Sequence, residues 1–196
     1  PEFAEDHLPG AVNLPVLTAE ERAVVGTLYK QESSFEAKKL GAALIARNIA
    51  RHIDEYFSSK PKHWRPLIYC WRGGKRSGAM AHILSEIGWK VARLEGGYKA
   101  YRRQVVEDLA VLPLRFNFEV VCGPTGSGKS RLLQALAHAG GQVLDLEQLA
   151  QHRGSVLGNL PDVPQPAQKM FDSLIHAQLQ RFDPTQPVYV EAESKK

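Results

Sequence analysis

The sequence predicts two successive α/β domains, each on a mainly parallel sheet, and three observations carry that prediction. At 196 residues, 43% hydrophobic and 23% charged, the chain has the length for two modest domains and the composition of an ordinary globular protein. Apolar runs of strand length alternate with stripes of helical period, the pattern of strands joined by crossover helices. Twice, a strand-like run enters a glycine-bearing loop that opens directly into a helical pattern, at Cys70–Ser77 and at Gly123–Ser130.

Taken in order, His7-Leu-Pro-Gly-Ala-Val-Asn-Leu-Pro15 is punctuated by proline and glycine and predicts an irregular stretch with a short strand-like centre. From Phe35 to Phe57, Leu40, Leu44, Ile45, Ile49, Ile53 and Tyr56 form one stripe, with Lys38, Arg47, Arg51 and Glu55 facing away, which predicts a long helix. Pro66-Leu-Ile-Tyr69 predicts a strand leading into Cys70. Met80, Ile83, Leu84 and Ile87 then recur at i, i+3, i+4 and i+7, which predicts the helix after the loop. A short strand, Lys90–Leu94, closes on Glu95-Gly-Gly-Tyr98, and Arg102–Leu114 predicts a helical connector ending at Pro113.

The pattern then restarts. Phe116–Val121 predicts a buried strand, with Cys122 as core at its end; Leu132, Leu133 and Leu136 mark a helix that stops at Gly140-Gly141. Val143–Leu146 is a second strand, Gly154–Pro166 a loop, Gln168–Phe182 a helix and Pro187–Glu191 a third strand. The predicted domains are residues 1–108 and 115–196.

Cys70-Trp-Arg-Gly-Gly-Lys-Arg-Ser77 joins a thiol to a helix N-terminus. The loop amides of Trp71, Gly73, Gly74 and Lys75, the helix dipole, and the cations Arg72, Lys75 and Arg76 all favour negative charge there. Such surroundings lower a thiol pKa and hold anionic groups on sulfur or phosphorus. Gly123-Pro-Thr-Gly-Ser-Gly-Lys-Ser130 fits G-x-x-x-x-G-K-[ST] at every fixed position. The amides of Gly123, Thr125, Gly126, Ser127 and Gly128 would cradle phosphate oxygens, and Lys129 would reach the outer phosphates. Ser130, with Asp145 at the end of the next strand, is a candidate Mg²⁺ ligand.

A net charge of +4 points to a polyanionic partner. Lys60, Lys62, His63, Arg65, Arg93, Lys99, Arg102 and Arg103 are interleaved with Trp64, Trp71, Tyr98 and Tyr101, a mixture that suits stacked bases and phosphates as well as a solvated face over core aromatics. Two cysteines, each beside an anion loop, argue for free thiols in a reducing, cytoplasmic setting, and the scattered histidines offer no zinc spacing. No apolar run approaches the length of a membrane span, and no signal peptide is visible.

The first half resembles a rhodanese domain in three places: His7–Pro15, which is similar to H-[IL]-P-G-A-x-N-x-P, Cys70–Ser77 as the active-site loop, and Leu94-Glu-Gly-Gly-Tyr98 as L-x-G-G-[YW]. A rhodanese-like domain followed by a P-loop NTPase-like domain resembles the bacterial tRNA 2-selenouridine synthases. So do Glu20–Gln31, Tyr69–Ser77, Leu144–Glu147, His152–Ser155 and Val190–Ser194. The resemblance makes the chain an internal piece of such an enzyme, cut at both ends.

It implies conversion of wobble 2-thiouridine in tRNA to 2-selenouridine with selenophosphate, through an S-geranyl intermediate made from geranyl diphosphate, and no tightly bound cofactor. In that reading Cys70 receives or delivers selenium as thiolate or perselenide. Arg72, Lys75, Arg76, Ser77 and the loop amides hold the phosphate-like group, while Gly123–Ser130 binds the diphosphate. The spacing Cys-x₅-Arg from Cys70 to Arg76 also fits cysteine-dependent phosphatases, and Gly123–Ser130 alone also fits an ATPase or kinase.

Overall fold

The computed structural model describes residues 2–72, 74–124, 126–152 and 163–192. The chain divides into two compact units, one of residues 10–101 and one of residues 2–9 with residues 102–196; the division falls inside a helix. Helix α1 (Glu2–Glu5) belongs with the second unit.

In the first unit, α2 (Ala19–Gln31) starts at a capping box. The Glu21 N–H donates to Thr18 Oγ1 at 3.1 Å, and the Thr18 N–H donates to Glu21 Oε2 at 2.8 Å. The sequence stripe missed this helix; Thr18-Ala-Glu-Glu21 was its legible signal. Helix α3 (Ser34–His52), capped by Ser33, continues as a π-helical turn over Ile53–Phe57, so the predicted span from Phe35 to Phe57 is helical throughout. Buried Asn48 donates to the Val16 carbonyl at 3.2 Å and to Glu21 Oε2 at 2.7 Å, and His52 Nε2 donates to the Pro15 carbonyl at 3.0 Å. These side chains satisfy the irregular segment, whose expected strand-like centre is absent. Pro9 and Pro15 have no N–H to give a sheet ladder, and the carbonyls of Pro15 and Val16 are taken by α3.

Strands β1 (Leu67–Ile68) and β2 (Ala92–Arg93) pair in parallel, Leu67 opposite Ala92, with α4 (Lys75–Ile87) as the crossover. Both are shorter than the apolar runs that predicted them, because the flanking residues are taken up by loop bonds and by core contacts. Ile49 and Leu84 are fully buried at the centre of a core with Val16, Phe57 and Met80; Trp64 and Trp89 pack against it and meet each other edge-on, ring centroids 5.9 Å apart. Trp64 is thus a core aromatic, with the Lys60 ammonium 5.8 Å from its ring centroid.

Helix α5 (Gly97–Val111) begins five residues earlier than the pattern predicts and passes into a 3₁₀ turn over Leu112–Arg115 that contains Pro113. In the second unit, β3 (Phe118–Val121), β4 (Gln142–Leu144) and β5 (Val188–Glu191) form a parallel sheet in the order β3-β5-β4. Helices α6 (Lys129–His138), α7 (Leu146–Ala150) and α8 (Gln168–Leu179) connect them. Leu144, Leu179 and Val188 make the core, with Phe116, Phe118 and Phe182 around it.

Strand β3 is not the buried strand expected: it is an edge strand, with Val120 54% exposed, and Cys122 beyond it is exposed rather than core. Buried His176 on α8 lies 2.7 Å from Asp108 on α5, and Arg102 pairs with Asp172 at 2.5 Å. The predicted loop 154–166 falls mostly outside the described residues. Among those described, no helix is long and apolar enough to cross a membrane.

Candidate active site

The first site is built where β1 ends. Cys70 is half-buried, and α4 starts five residues later, so the loop must turn its amides inward. Burial pushes the Cys70 thiol up. Hydrogen bonds from the Ser77 hydroxyl and from the N–H groups of Ser77, Arg72 and Gly74 outweigh that effect and leave it below the ordinary value of a thiol. The Ser77 Oγ is 3.3 Å from Cys70 Sγ and 3.1 Å from the Gly74 carbonyl. One hydroxyl proton cannot serve both acceptors. It lies on the Gly74 carbonyl while the thiol donates to Ser77, and turns to the sulfur when the thiolate forms.

Of the amides expected around sulfur, Gly74 is there; Arg72 and Ser77 supply the others, and Gly73 lies outside the described residues. Arg72 and Lys75 are exposed and Arg76 is half-buried. Trp71 stacks on buried Tyr98 at 4.9 Å and 24°.

The Glu95-Gly-Gly-Tyr98 segment holds this loop from the other side. The Tyr98 N–H donates to the Cys70 carbonyl at 3.0 Å, and the Lys99 N–H donates to the Trp71 carbonyl at 3.1 Å. The first amides of α5, orphaned in any helix, are thereby satisfied by the loop. Gly96 sits at φ 67°, and a Cβ there would lie 2.6 Å from Ala100 Cβ, so the turn from β2 into α5 requires glycine.

The second site follows β3. Gly123, at φ 158°, would place a Cβ 2.8 Å from Ser127 Oγ, and Gly128 leads into α6. Thr125 lies outside the described residues. Lys129 Nζ donates to the carbonyls of Gly123 at 3.0 Å and Pro124 at 3.3 Å, and pairs with Glu191 Oε1 at 3.2 Å. Ser130 Oγ donates to Glu191 Oε2 at 3.4 Å.

Asp145 stands at the end of β4 as expected, but its Oδ1 accepts the Gln148 N–H at 2.8 Å and caps α7. Glu191, at the end of the central strand, is the carboxylate that the loop's lysine and serine engage, and sequence reasoning missed it. Burial raises the Glu147 carboxyl, and the Glu191 and Asp145 charges add to the rise against Lys129 and His152. Among the described residues, no group of three or more His, Cys, Asp or Glu is placed to hold a metal on its own. Ser130 and Glu191 do offer hard oxygen donors, which suit a Mg²⁺ whose remaining ligands are phosphates and waters.

Residues 1–104 match the family model described as a rhodanese-like domain, and residues 116–196 match that of the tRNA 2-selenouridine synthase AAA domain. A protein of Nitrosomonas europaea named tRNA 2-selenouridine synthase is 39% identical over 99% of this chain and 51% of its own length. Its namesake in Nitrosomonas eutropha is 38% identical over 99% and 50%, and that of Bdellovibrio bacteriovorus 40% identical over 88% and 45%. The chain thus spans about half the length of the curated relatives it matches.

Proposed function

Because the chain belongs to the tRNA 2-selenouridine synthase family, we propose that it carries the two anion loops of an enzyme that exchanges sulfur for selenium in the wobble 2-thiouridine of tRNA. Selenophosphate is the selenium donor and geranyl diphosphate the alkyl donor. The observation that carries this reading is the Cys70 sulfur held by three backbone N–H groups and the Ser77 hydroxyl, in a chain that also bears a complete phosphate loop.

The thiocarbonyl sulfur attacks C1 of the geranyl chain and the C–O bond to diphosphate breaks. The N3 proton passes to solvent. Lys129 and the Gly123–Ser130 amides neutralise the departing diphosphate, for which Lys129 must give up Glu191. A Mg²⁺ arriving with the diphosphate would be held by Ser130 and Glu191 and would add charge neutralisation.

At the other loop, selenium in selenophosphate is already at the selenide level, so an S–Se bond on Cys70 would need an oxidant, whereas an S–P bond would not. The Cys70 thiolate therefore attacks phosphorus. The P–Se bond breaks, hydroselenide leaves, and water later hydrolyses the phosphocysteine. Arg72, Arg76, Ser77 and the loop amides hold the phosphoryl oxygens. Hydroselenide adds at C2 of the S-geranyl uridine, its proton moves to N3, and the geranyl thiolate leaves to be protonated by solvent. Trp71, already stacked on Tyr98, supplies an aromatic face for a base beside the sulfur.

The test is nucleoside mass spectrometry of 2-thiouridine tRNA incubated with the protein, selenophosphate and geranyl diphosphate. A 2-selenouridine peak that vanishes in Cys70→Ala is the expected result. Undiminished 2-selenouridine in that variant overturns the role of Cys70. Hydrolysis of p-nitrophenyl phosphate by a folded protein that leaves 2-thiouridine untouched overturns the reaction.

A further inference from the structure

Between α2, α3 and α4 of the first unit lies a cavity of about 510 Å³, within the size range of small-molecule sites. Its walls are apolar. Val25 and Tyr29 come from α2, and Ala79 and Ile83 from α4. On α3 the lining combines the small residues Ala42 and Ala46 with Ile45 and Ile49, while Gly41 lets α2 approach, a Cβ there lying 3.5 Å from Val25 Cγ1. Tyr29 is 56% exposed at the mouth.

Two cations line the same groove, Lys38 from α3 and Lys75 from α4, and neither has an acidic partner among the described residues. Lys75 directly follows Gly74, whose N–H is on the Cys70 sulfur, so the groove adjoins the thiol loop. An apolar slot bordered by two ammonium groups that no described carboxylate neutralises is complementary to a hydrocarbon chain on an anionic carrier, and to neither a neutral lipid nor a basic peptide.

We propose that this groove lodges the ten-carbon tail of the S-geranylated wobble uridine during the selenium step, with Lys38 and Lys75 against phosphates of the tRNA backbone. The identity of the chain rests on the reaction proposed above; the groove itself requires only a flexible hydrocarbon on a polyanion. Holding the tail there keeps the C2 carbon at the Cys70 loop after alkylation and draws the leaving thiol away from it.

The experiment compares an anticodon stem-loop RNA bearing S-geranyl-2-thiouridine with the same RNA bearing 2-thiouridine, by equilibrium binding to the protein. The wild type is expected to favour the geranylated RNA by about tenfold or more, the worth of two buried methylenes. Ala42→Phe and, independently, Ala46→Leu fill the groove and are expected to erase the preference while 2-thiouridine RNA binds as before; thermal melts check that both fold. Lys38→Glu is expected to weaken both RNAs about fivefold alike. Equal binding of the two RNAs by the wild type, or a preference that survives in both folded groove variants, overturns the groove. A preference that depends on the groove, in a protein that forms no 2-selenouridine, leaves the groove standing and overturns the reaction instead.

Discussion

Ser77 is the residue on which the cysteine site turns, because its hydroxyl and its amide both reach the Cys70 sulfur while its side chain is buried. Removing the hydroxyl leaves the thiolate with backbone donors only. In Ser77→Ala the midpoint of Cys70 alkylation against pH should rise from its lowered wild-type position, and alkylation at neutral pH should slow. The direction follows from the sign: the hydroxyl favours the anion, so its loss favours the thiol. An unmoved midpoint, measured with iodoacetamide and peptide mass spectrometry, would assign the shift to the amides alone. Glu191 has a comparable place at the other loop, since its two oxygens occupy the lysine and the serine that an incoming phosphate needs.

At the scale of elements, the thiol loop is held between two helix N-termini, α4 on its own strand's side and α5 through Tyr98 and Lys99. The turn at Gly96 makes the second attachment possible. Gly96→Ala should cost about 2 kcal/mol or more, from an unfavourable φ and a clash with Ala100. Its melting temperature should fall, and turnover should fall further than stability alone explains; an unchanged melt would show that the turn relaxes freely.

The strand–loop–helix setting of both loops was legible in the sequence because each is contiguous and fits within about a dozen residues. Helix α2 was not, because it lacks a strong apolar stripe and rests on its capping box. Glu191 was not, because 61 positions separate it from Ser130, and only a strand order that places the last strand in the middle unites them. Asp145 shows the complementary difficulty: a carboxylate at a strand end is also well placed to cap the helix that follows, as its Oδ1 does here.

For the molecule as a whole, a charge of +4 and cations at both loops favour association with a polyanion. Binding of tRNA should therefore weaken steadily with salt, with a log–log slope of roughly −2 to −4.5 if about three to five phosphates are neutralised; a flat salt response would remove the backbone from the interface. The half-buried, hydrogen-bonded sulfur of Cys70 has one more consequence, for how the protein fails. Peroxide attacks thiolates, and successive oxidation adds oxygens to the sulfur that carry negative charge. The N–H groups of Arg72, Gly74 and Ser77 would receive those oxygens as they would a phosphoryl group. An over-oxidised Cys70 would thus imitate the anion proposed for this loop and be stabilised by the same N–H groups, so peroxide should inactivate the site more readily than it oxidises an ordinary thiol.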